Sequence, residues 1–301
     1  MRFSIWPSPS QPWGDLLEVV QHAELTGWDG VYVSDHFMGN GGDFGAAETP
    51  TFEATAAIGA LAGATDRVRL GTLVLSATYR HPAVLANWAA TIDHASNGRL
   101  LLGVGAGWQD NEHQQYGIEL GSPGDRLARF DEYAQVLLGL LRAPRTTVQG
   151  RWYEVVDAIS EPKPVQQPLP ILVGGKGDRM LRLVARYADQ WNMWGLAPVI
   201  AERGAVLDRA CERIGRDPGE IAWSAQALVR VTDDAAAAAR FVDSTPRAAV
   251  AGTPAQIAEA VSDWAAVGLD ELIVPDFLLG RGAEKLDHMD AIIAEVAAAF
   301  R

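Results

Sequence analysis

The chain has very few of the side chains that form covalent or metal-based links. Its 301 residues include one cysteine, Cys211, and six histidines. One thiol cannot form an internal disulfide or a cysteine-based metal site, and no two histidines have a spacing typical of metal ligands. We therefore predict a protein without a disulfide framework and without a catalytic metal.

Positive charge and long apolar runs are scarce as well. The formal net charge is −13 at pH 7, and lysine and arginine form no cluster that could follow a phosphate backbone. No apolar run approaches the roughly 20 residues of a membrane-spanning helix, and residues 2–6 begin as a strand rather than as a signal peptide. We expect a cytoplasmic protein with no nucleic-acid or membrane partner.

Hydrophobic residues are abundant and recur in alternating strand-like and helix-like segments. They make up 48% of the chain, which is enough for a full core. Eight strand-like segments lie at residues 2–6, 30–34, 67–76, 99–104, 169–173, 190–194, 221–231 and 271–275. This pattern predicts an α/β fold, a (β/α)8 TIM barrel with insertions that forms one domain over residues 1–301. A doubly wound sheet is the alternative. The predicted insertions are a glycine-rich loop over residues 38–50 and a hairpin within residues 144–170.

The fourth strand ends in a pattern typical of a ligand site. Its apolar run enters Gly103, Gly105 and Gly107, and Trp108 follows at once. Glycine lets the backbone approach a flat or bulky group, since no side chain intervenes. The spacing lacks the third glycine of the dinucleotide-binding fingerprint and lies on the fourth strand instead of the first, which argues against a Rossmann site.

Three other strand ends carry candidate binding groups, and a barrel places its site at the carboxyl ends of its strands. Trp6, Trp108 and Trp194 are predicted to wall an apolar substrate pocket; the alternative is that they pack under loops. The fifth strand runs into a turn with Gly174, Gly175, Lys176 and Gly177, directly before a helix. Backbone N–H groups in such a turn bind phosphate, although an ordinary tight turn has the same glycines.

His36 is the strongest catalytic candidate. It follows the second strand with Asp35 beside it, and imidazole moves protons near neutral pH. A histidine that merely hydrogen-bonds its loop is the alternative. His113, after the fourth strand, is a weaker candidate, and Arg230 is predicted to end the seventh strand at the barrel mouth.

Short motifs along the chain resemble those of the bacterial luciferase-like superfamily, and in particular its actinobacterial deazaflavin (coenzyme F420)-dependent oxidoreductases. They occur in the same order as in that family. They are VSDHF at residues 33–37, GTLVL at 71–75, YRHPAV at 79–84, GR at 98–99, GVGAGW at 103–108, GGKG at 174–177 and ADQWN at 188–192. The resemblance covers nearly the whole chain. It implies a TIM barrel that binds F420, or alternatively FMN, at its carboxyl-terminal mouth.

The resemblance also implies roles for single residues. A cis peptide between Leu73 and Val74 would lie beneath the ring, and Asp35, Ser76, Ala106 and Asn111 would contact the cofactor. The turn of Gly174, Gly175, Lys176 and Gly177 would hold the cofactor phosphate, and His36 would lie near the reactive face. The implied chemistry is hydride transfer between C5 of the deazaflavin and a small organic substrate, with His36 holding the balancing proton.

One position departs from the family pattern. Related sugar-phosphate dehydrogenases have a catalytic glutamate where this chain has Trp108. Tryptophan cannot exchange a proton, so oxidation of a sugar phosphate by that mechanism is not expected. Glu112 either reaches the pocket or is a solvated carboxylate at a helix start. An FMN-dependent monooxygenase and a non-catalytic flavin-binding barrel remain alternatives, and we expect a homodimer.

Overall fold

The computed structural model describes residues 1–42 and 44–301; Asp43, within the predicted loop over residues 38–50, lies outside the described residues. The strands are β1 (Arg2–Trp6), β2 (Gly30–Val33), β3 (Arg69–Thr72), β4 (Leu75–Ser76), β5 (Leu100–Gly105), β6 (Thr146–Gln149), β7 (Glu154–Ala158), β8 (Ile171–Gly174), β9 (Gln190–Trp194), β10 (Ala222–Gln226), β11 (Leu228–Val231), β12 (Ala249–Gly252) and β13 (Glu271–Pro275).

The α-helices lie mostly between the strands. They are α1 (Trp13–Thr26), α2 (Ala54–Ala64), α3 (Pro82–Ala95), α4 (Asp110–Tyr116), α5 (Pro123–Arg142), α6 (Asp178–Tyr187), α7 (Ala197–Glu212), α8 (Ala235–Asp243), α9 (Pro254–Ala266) and α10 (Ala283–Ala291). Several start where the sequence supplies a cap. At α9, for example, Thr253 and Gln256 form a capping box with Pro254 in the first turn, which satisfies N–H groups that have no partner within the helix.

The predicted barrel is confirmed. Parallel strands are paired in the order β3-β2-β1-β13-β10-β9-β8-β5, and β3 also pairs with β5, which closes the sheet. The closing register aligns Leu70 with Leu100 and Gly71 with Leu101. A smaller apolar cluster that includes Trp6, Tyr32 and Leu73 fills the interior. The main core lies between the barrel and its helices.

The third barrel strand is interrupted where the sequence suggested a continuous segment over residues 67–76. The peptide bond between Leu73 and Val74 is cis, as the family resemblance implied, and it separates β3 from β4. At this break the Thr72 hydroxyl accepts from Gly103 N and donates to Gly103 O, both at 2.8 Å. The Thr72 side chain thus satisfies backbone groups of β5 at the point where β3 ends.

The seventh predicted strand, residues 221–231, is two strands. Strand β10 pairs with β9 and β13 within the barrel, whereas β11 pairs with β12 outside it. The prediction that Arg230 ends a barrel strand was wrong, because the barrel strand ends at Gln226. The apolar pattern continues through both segments, so periodicity alone gives no sign of the change of sheet.

Four further observations complete the description of the fold. Strands β6 and β7 form the predicted antiparallel hairpin. Cys211 is buried on α7, and burial raises the pKa of its thiol. Across residues 1–42 and 44–301, no helix combines the length and apolarity that a membrane crossing needs. No group of three or more His, Cys, Asp or Glu side chains in the same residues could hold a metal ion.

Candidate active site at the barrel mouth

A cavity of about 510 Å³ opens at the carboxyl ends of the barrel strands. Its wall comes from strand ends and from the loops that follow them. The lining residues are Trp6, Asp35, His36, Phe44, Leu73, Val74, Ser76, Tyr79, Gly105, Gly107, Trp108, Glu112, Gly175, Lys176, Trp194, Gln226 and Arg247. A barrel of parallel strands directs all these ends to one face, and therefore residues distant in sequence meet here.

His36 and Glu112 form a hydrogen-bonded dyad in the cavity wall. The Glu112 carboxylate is fully buried and accepts a hydrogen bond from His36 Nδ1 at 2.8 Å. A carboxylate can only accept, so Nδ1 carries the hydrogen, and Nε2 of a neutral ring keeps its lone pair. The alternative interpretation of Glu112 as a solvated carboxylate at a helix start was wrong.

Two further donors hold Glu112 in place. Tyr79 donates its hydroxyl to Oε1, and Phe37 N donates to Oε2 at 2.8 Å. Burial by itself would raise the pKa of Glu112, but the hydrogen bonds from His36, Tyr79 and Phe37 outweigh burial and lower it. Burial and the hydrogen bond to Glu112 raise the pKa of Tyr79. The carboxylate is therefore ionised and the phenol neutral at neutral pH.

Asp35 has a mainly internal role. Its Oδ1 accepts from Arg80 at 2.9 Å, and its Oδ2 accepts from Arg80 at 2.6 Å and from Ser76 N at 2.8 Å. Burial alone would lower the pKa of Arg80, but the carboxylates of Asp35 and Glu53 raise it. Arg80 thus binds both oxygens of Asp35, and Asp35 in turn holds β4 through Ser76 N, directly after the cis peptide. Contact between Asp35 and a cofactor stays a prediction.

The glycines of β5 allow close contacts with other parts of the protein itself. A Cβ at Gly103 would lie 1.9 Å from Thr72 O, and one at Gly105 would lie 2.7 Å from Val74 Cγ2. A Cβ at Gly174 would also meet Val74, at 3.2 Å. The three glycines therefore admit the backbone at Thr72 and the side chain of Val74, and Val74 in turn faces the cavity.

The turn between β8 and α6 borders the cavity. Gly175 and Lys176 line the cavity, while Gly174 and Gly177 lie beside it. Gly175 has φ +147°, a conformation that favours glycine, and a Cβ there would lie 2.6 Å from Met180 Cγ. No side chain caps the first N–H groups of α6. These donors, together with Lys176, match the predicted phosphate cradle, which stays a prediction.

Aromatic rings form much of the cavity wall. Trp6 and Trp194 have ring centroids 5.8 Å apart, and Trp108 meets His36 edge-on at 5.4 Å. Trp108 is 50% exposed, whereas Trp6 is 3% exposed. The Arg247 guanidinium lies 4.8 Å from the centroids of both Phe44 and Trp194. All three predicted tryptophans thus lie on the cavity; their contact with a substrate stays a prediction.

Two predicted contact residues lie outside the cavity wall. Asn111 donates from Nδ2 to Gly39 O at 2.8 Å, and Ala106 packs against the core. Their contact with a cofactor stays a prediction. No role was predicted for Tyr79 or Arg80, although both lie in the YRHPAV motif at residues 79–84. Gln226 was missed because β10 ends earlier than its apolar pattern suggests.

A second cavity of about 740 Å³ adjoins the first at His36 and Phe44. Its wall includes Ser8, Asp15, Arg281 and the buried ion pair of Asp276 and Lys285. It is more polar than the aromatic cavity, and Met38, Gly45 and Thr49 of the glycine-rich loop contribute to its wall. His36 therefore contributes to the walls of both cavities.

Residues 1–246 match the family of luciferase-like monooxygenases. The chain belongs to that family. The matched region includes eleven of the thirteen strands that the structure describes, from β1 to β11, and it also contains the dyad, Arg80 and the turn before α6.

Among similar proteins, an F420-dependent glucose-6-phosphate dehydrogenase of Amycolatopsis mediterranei (strain U-32) is 38% identical over 177 residues, which cover 58% of this chain and 50% of that protein. An enzyme of the same name from Segniliparus rotundus is 34% identical over 218 residues, or 69% of this chain and 62% of that protein. The chain thus spans about half to three fifths of the length of the relatives it matches.

Solved structures share the whole fold at low sequence identity. An F420-dependent secondary alcohol dehydrogenase in complex with an F420-acetone adduct has a TM-score of 0.84 at 20% identity, over 99% of this chain and 98% of that one. A long-chain alkane monooxygenase has a TM-score of 0.83 at 15% identity, over 100% and 92%. At these identities the likeness shows the fold alone.

Proposed function

We propose that the protein is an F420-dependent oxidoreductase that acts on a small organic substrate. The observation that carries the proposal is the dyad of His36 and Glu112 on the wall of an aromatic cavity at the mouth of a luciferase-like barrel. Relatives at 34–38% identity that are named F420-dependent dehydrogenases support the choice of cofactor.

The lining of the cavity fits a flat heterocycle with polar edges. Trp6 Nε1 and Gln226 Oε1 are buried in the wall, and neither has a hydrogen-bond partner within residues 1–42 and 44–301. One is a donor and the other an acceptor. An unpaired buried polar atom is costly, so both atoms favour a ligand that pairs with them. A deazaflavin ring has N–H and C=O groups on its rim and an apolar face for Val74 and the aromatic walls.

The turn before α6 fits the cofactor's phosphate. Backbone N–H groups at the start of α6 and the Lys176 ammonium would supply donors and positive charge. Coenzyme F420 also carries an acidic oligoglutamate tail. Arg179 and Arg182 are exposed on α6 next to this turn, in a protein whose net charge is −13. This local positive charge favours F420 over FMN.

The bound deazaflavin would supply a hydride donor or acceptor at its C5 atom. His36 would hold or release the balancing proton at Nε2, because Glu112 fixes the hydrogen on Nδ1. The hydrogen bonds from Tyr79 and Phe37 N would hold the Glu112 carboxylate in the orientation in which it accepts from His36. The rings of Trp6, Trp108 and Trp194 would limit water near the reacting atoms.

We infer that the substrate is not a sugar phosphate oxidised by the mechanism of the named relatives. Trp108 occupies the position of their catalytic glutamate, and its ring contacts the edge of His36. Nothing at that position can exchange a proton. The dyad itself would then be the acid–base group of the site.

Anaerobic assays with a panel of alcohols, aldehydes and enones test the proposal. With oxidised or reduced F420, we expect at least one substrate to change the visible absorbance of the cofactor. Turnover that requires reduced FMN together with oxygen, and never F420, would replace the proposal with the monooxygenase alternative.

The role of His36 has a matched control within the chain. His22 is also paired with a carboxylate, Asp290, with Nε2 and Oδ1 2.7 Å apart, but it lies on α1 away from the cavity. We expect His36→Ala to bind the cofactor and to lose roughly 100-fold or more in turnover, as is typical when a general acid or base is removed. His22→Ala should keep its turnover. Full turnover in His36→Ala would remove the catalytic assignment.

We also infer a homodimer and a cytoplasmic location. Light scattering of the purified protein measures the oligomeric state, and cell fractionation measures the location.

A further inference from the structure

A chain of hydrogen bonds leads from the cavity to a buried histidine that the proposed reaction does not use. Ser76 Oγ lies 2.6 Å from Thr78 Oγ1, and Thr78 Oγ1 lies 2.7 Å from His113 Nε2. The other ring nitrogen, Nδ1, lies 2.6 Å from Gln109 O. Ser76 lines the cavity, whereas His113 is 2% exposed and lies behind the wall.

The carbonyl of Gln109 determines which group donates in each of these hydrogen bonds. A carbonyl oxygen only accepts, so His113 Nδ1 carries the hydrogen and Nε2 of the neutral ring accepts from Thr78. The single hydroxyl hydrogen of Thr78 is then used, and Ser76 must donate its own hydrogen to Thr78. Ser76 Oγ therefore has no hydrogen left for a ligand and can only accept from one.

The surroundings hold this arrangement in place. Ser76 N donates to Asp35 Oδ2 at 2.8 Å, which fixes the backbone that carries the hydroxyl. A Cβ at Gly107 would lie 2.7 Å from Ser76 Oγ and 3.0 Å from Thr78 Oγ1, so glycine is required beside the two hydroxyls. The His113 ring packs against Tyr79, with centroids 4.8 Å apart. Thr78 N donates to Ser76 Oγ at 3.4 Å, which occupies one of the two lone pairs of that oxygen and leaves the other for a ligand.

We propose that His113, acting through Thr78, makes Ser76 a fixed hydrogen-bond acceptor that selects a ligand with an N–H or O–H donor at that point of the cavity. His113 is a positioning residue in this proposal, because it does not touch the ligand. The inference rests on the proposed function for its ligand, a deazaflavin or flavin ring. The direction of these hydrogen bonds is a property of the protein alone and does not depend on the ligand. A charged His113 would keep its bond to Gln109 O, but it would reverse the bonds from Thr78 and from Ser76 and so make Ser76 a donor to the ligand.

Nitrogen NMR of the ligand-free protein tests the direction. In protein labelled with ¹⁵N on histidine, the signals of His113 are assigned as those that disappear in His113→Gln. We expect the hydrogen on Nδ1 and a bare Nε2 at neutral pH. A hydrogen on Nε2, in either the other tautomer or a charged ring, would overturn the proposal. This result does not depend on which cofactor binds.

Binding measurements test the consequence for the ligand. F420 and FMN are titrated separately into the wild type, Thr78→Val and Thr78→Ser. Thr78→Val frees the Ser76 hydroxyl to rotate, and we expect roughly threefold to tenfold weaker binding of the cofactor that the wild type takes, the value of about one hydrogen bond. Thr78→Ser keeps a hydroxyl in the chain and should bind like the wild type.

Several outcomes separate this inference from the proposed function. Equal binding by Thr78→Val and the wild type would overturn the role of the chain. If Thr78→Val does not fold, Ser76→Ala takes its place, and unchanged binding by Ser76→Ala would overturn the proposal equally. If the wild type binds neither F420 nor FMN, the proposed function fails, and the NMR result still decides whether Ser76 is an acceptor.

Discussion

A Glu112→Gln substitution keeps the size of the side chain and removes its charge. In the wild type Oε1 accepts from His36 and Tyr79, and Oε2 accepts from Phe37 N. Glutamine offers one acceptor oxygen and one donor NH2 group. If its oxygen faces His36, its NH2 group meets the N–H of Phe37. If its oxygen faces Phe37, its NH2 group forces His36 into the other tautomer.

Either orientation loses at least one hydrogen bond to a buried charged group. Such bonds contribute about 1.5–3 kcal/mol each, and a facing pair of donors adds a desolvation cost, so we expect the free energy of unfolding to fall by about 2–4 kcal/mol. Urea denaturation at neutral pH measures it. Glu119→Gln is the control, because Glu119 is exposed, and it should change stability by less than about 0.5 kcal/mol. An effect of Glu112→Gln as small as that of the control would refute the buried dyad.

Three further predictions follow from the same geometry. The pKa of Glu112 is lowered from 4.5 in the folded protein, so the stability that its charge contributes is present above about pH 4.5 and is lost as pH falls through the folded pKa. In urea titrations at a series of acidic pH values, the difference in the free energy of unfolding between the wild type and Glu112→Gln should therefore become smaller. Gly175→Ala, at φ +147° and 2.6 Å from Met180 Cγ, should lower the melting temperature, while Gly177→Ala, which meets nothing within 4 Å, should not. Arg80→Lys loses a bidentate bond to a buried carboxylate and should destabilise the protein by about 1–3 kcal/mol in urea, whereas Arg151→Lys at an exposed ion pair should have little effect.

The regular parts of the fold were predictable because their signals are local. Helix α9 has a cap, an apolar face and a terminal glycine within one stretch of sequence, and the eight barrel strands are apolar runs between such helices. The division of residues 221–231 into β10 and β11 was not predictable, since both halves are equally apolar. The change of sheet depends on which partner strand lies alongside, and that is a tertiary property.

The candidate site was predictable in position but less so in its connections. His36 and Trp108 were found because they follow strands, and a barrel collects the strand ends. The burial of Glu112 was open, because a carboxylate in the first turn of α4 is equally at home in water. It is buried because three donors from other segments converge on it. The role of the glycines of β5 depends on Val74, which only the folded backbone brings beside them.

Parallel titration of the purified wild-type protein with F420 and with FMN tests the central claim most directly. Tryptophan fluorescence is a suitable signal, because Trp6, Trp108 and Trp194 all line the cavity. The proposed function predicts saturable quenching by F420 and clearly weaker quenching by FMN, with Lys176→Ala weakening the binding of F420. Saturable binding of FMN with no binding of F420 would contradict it.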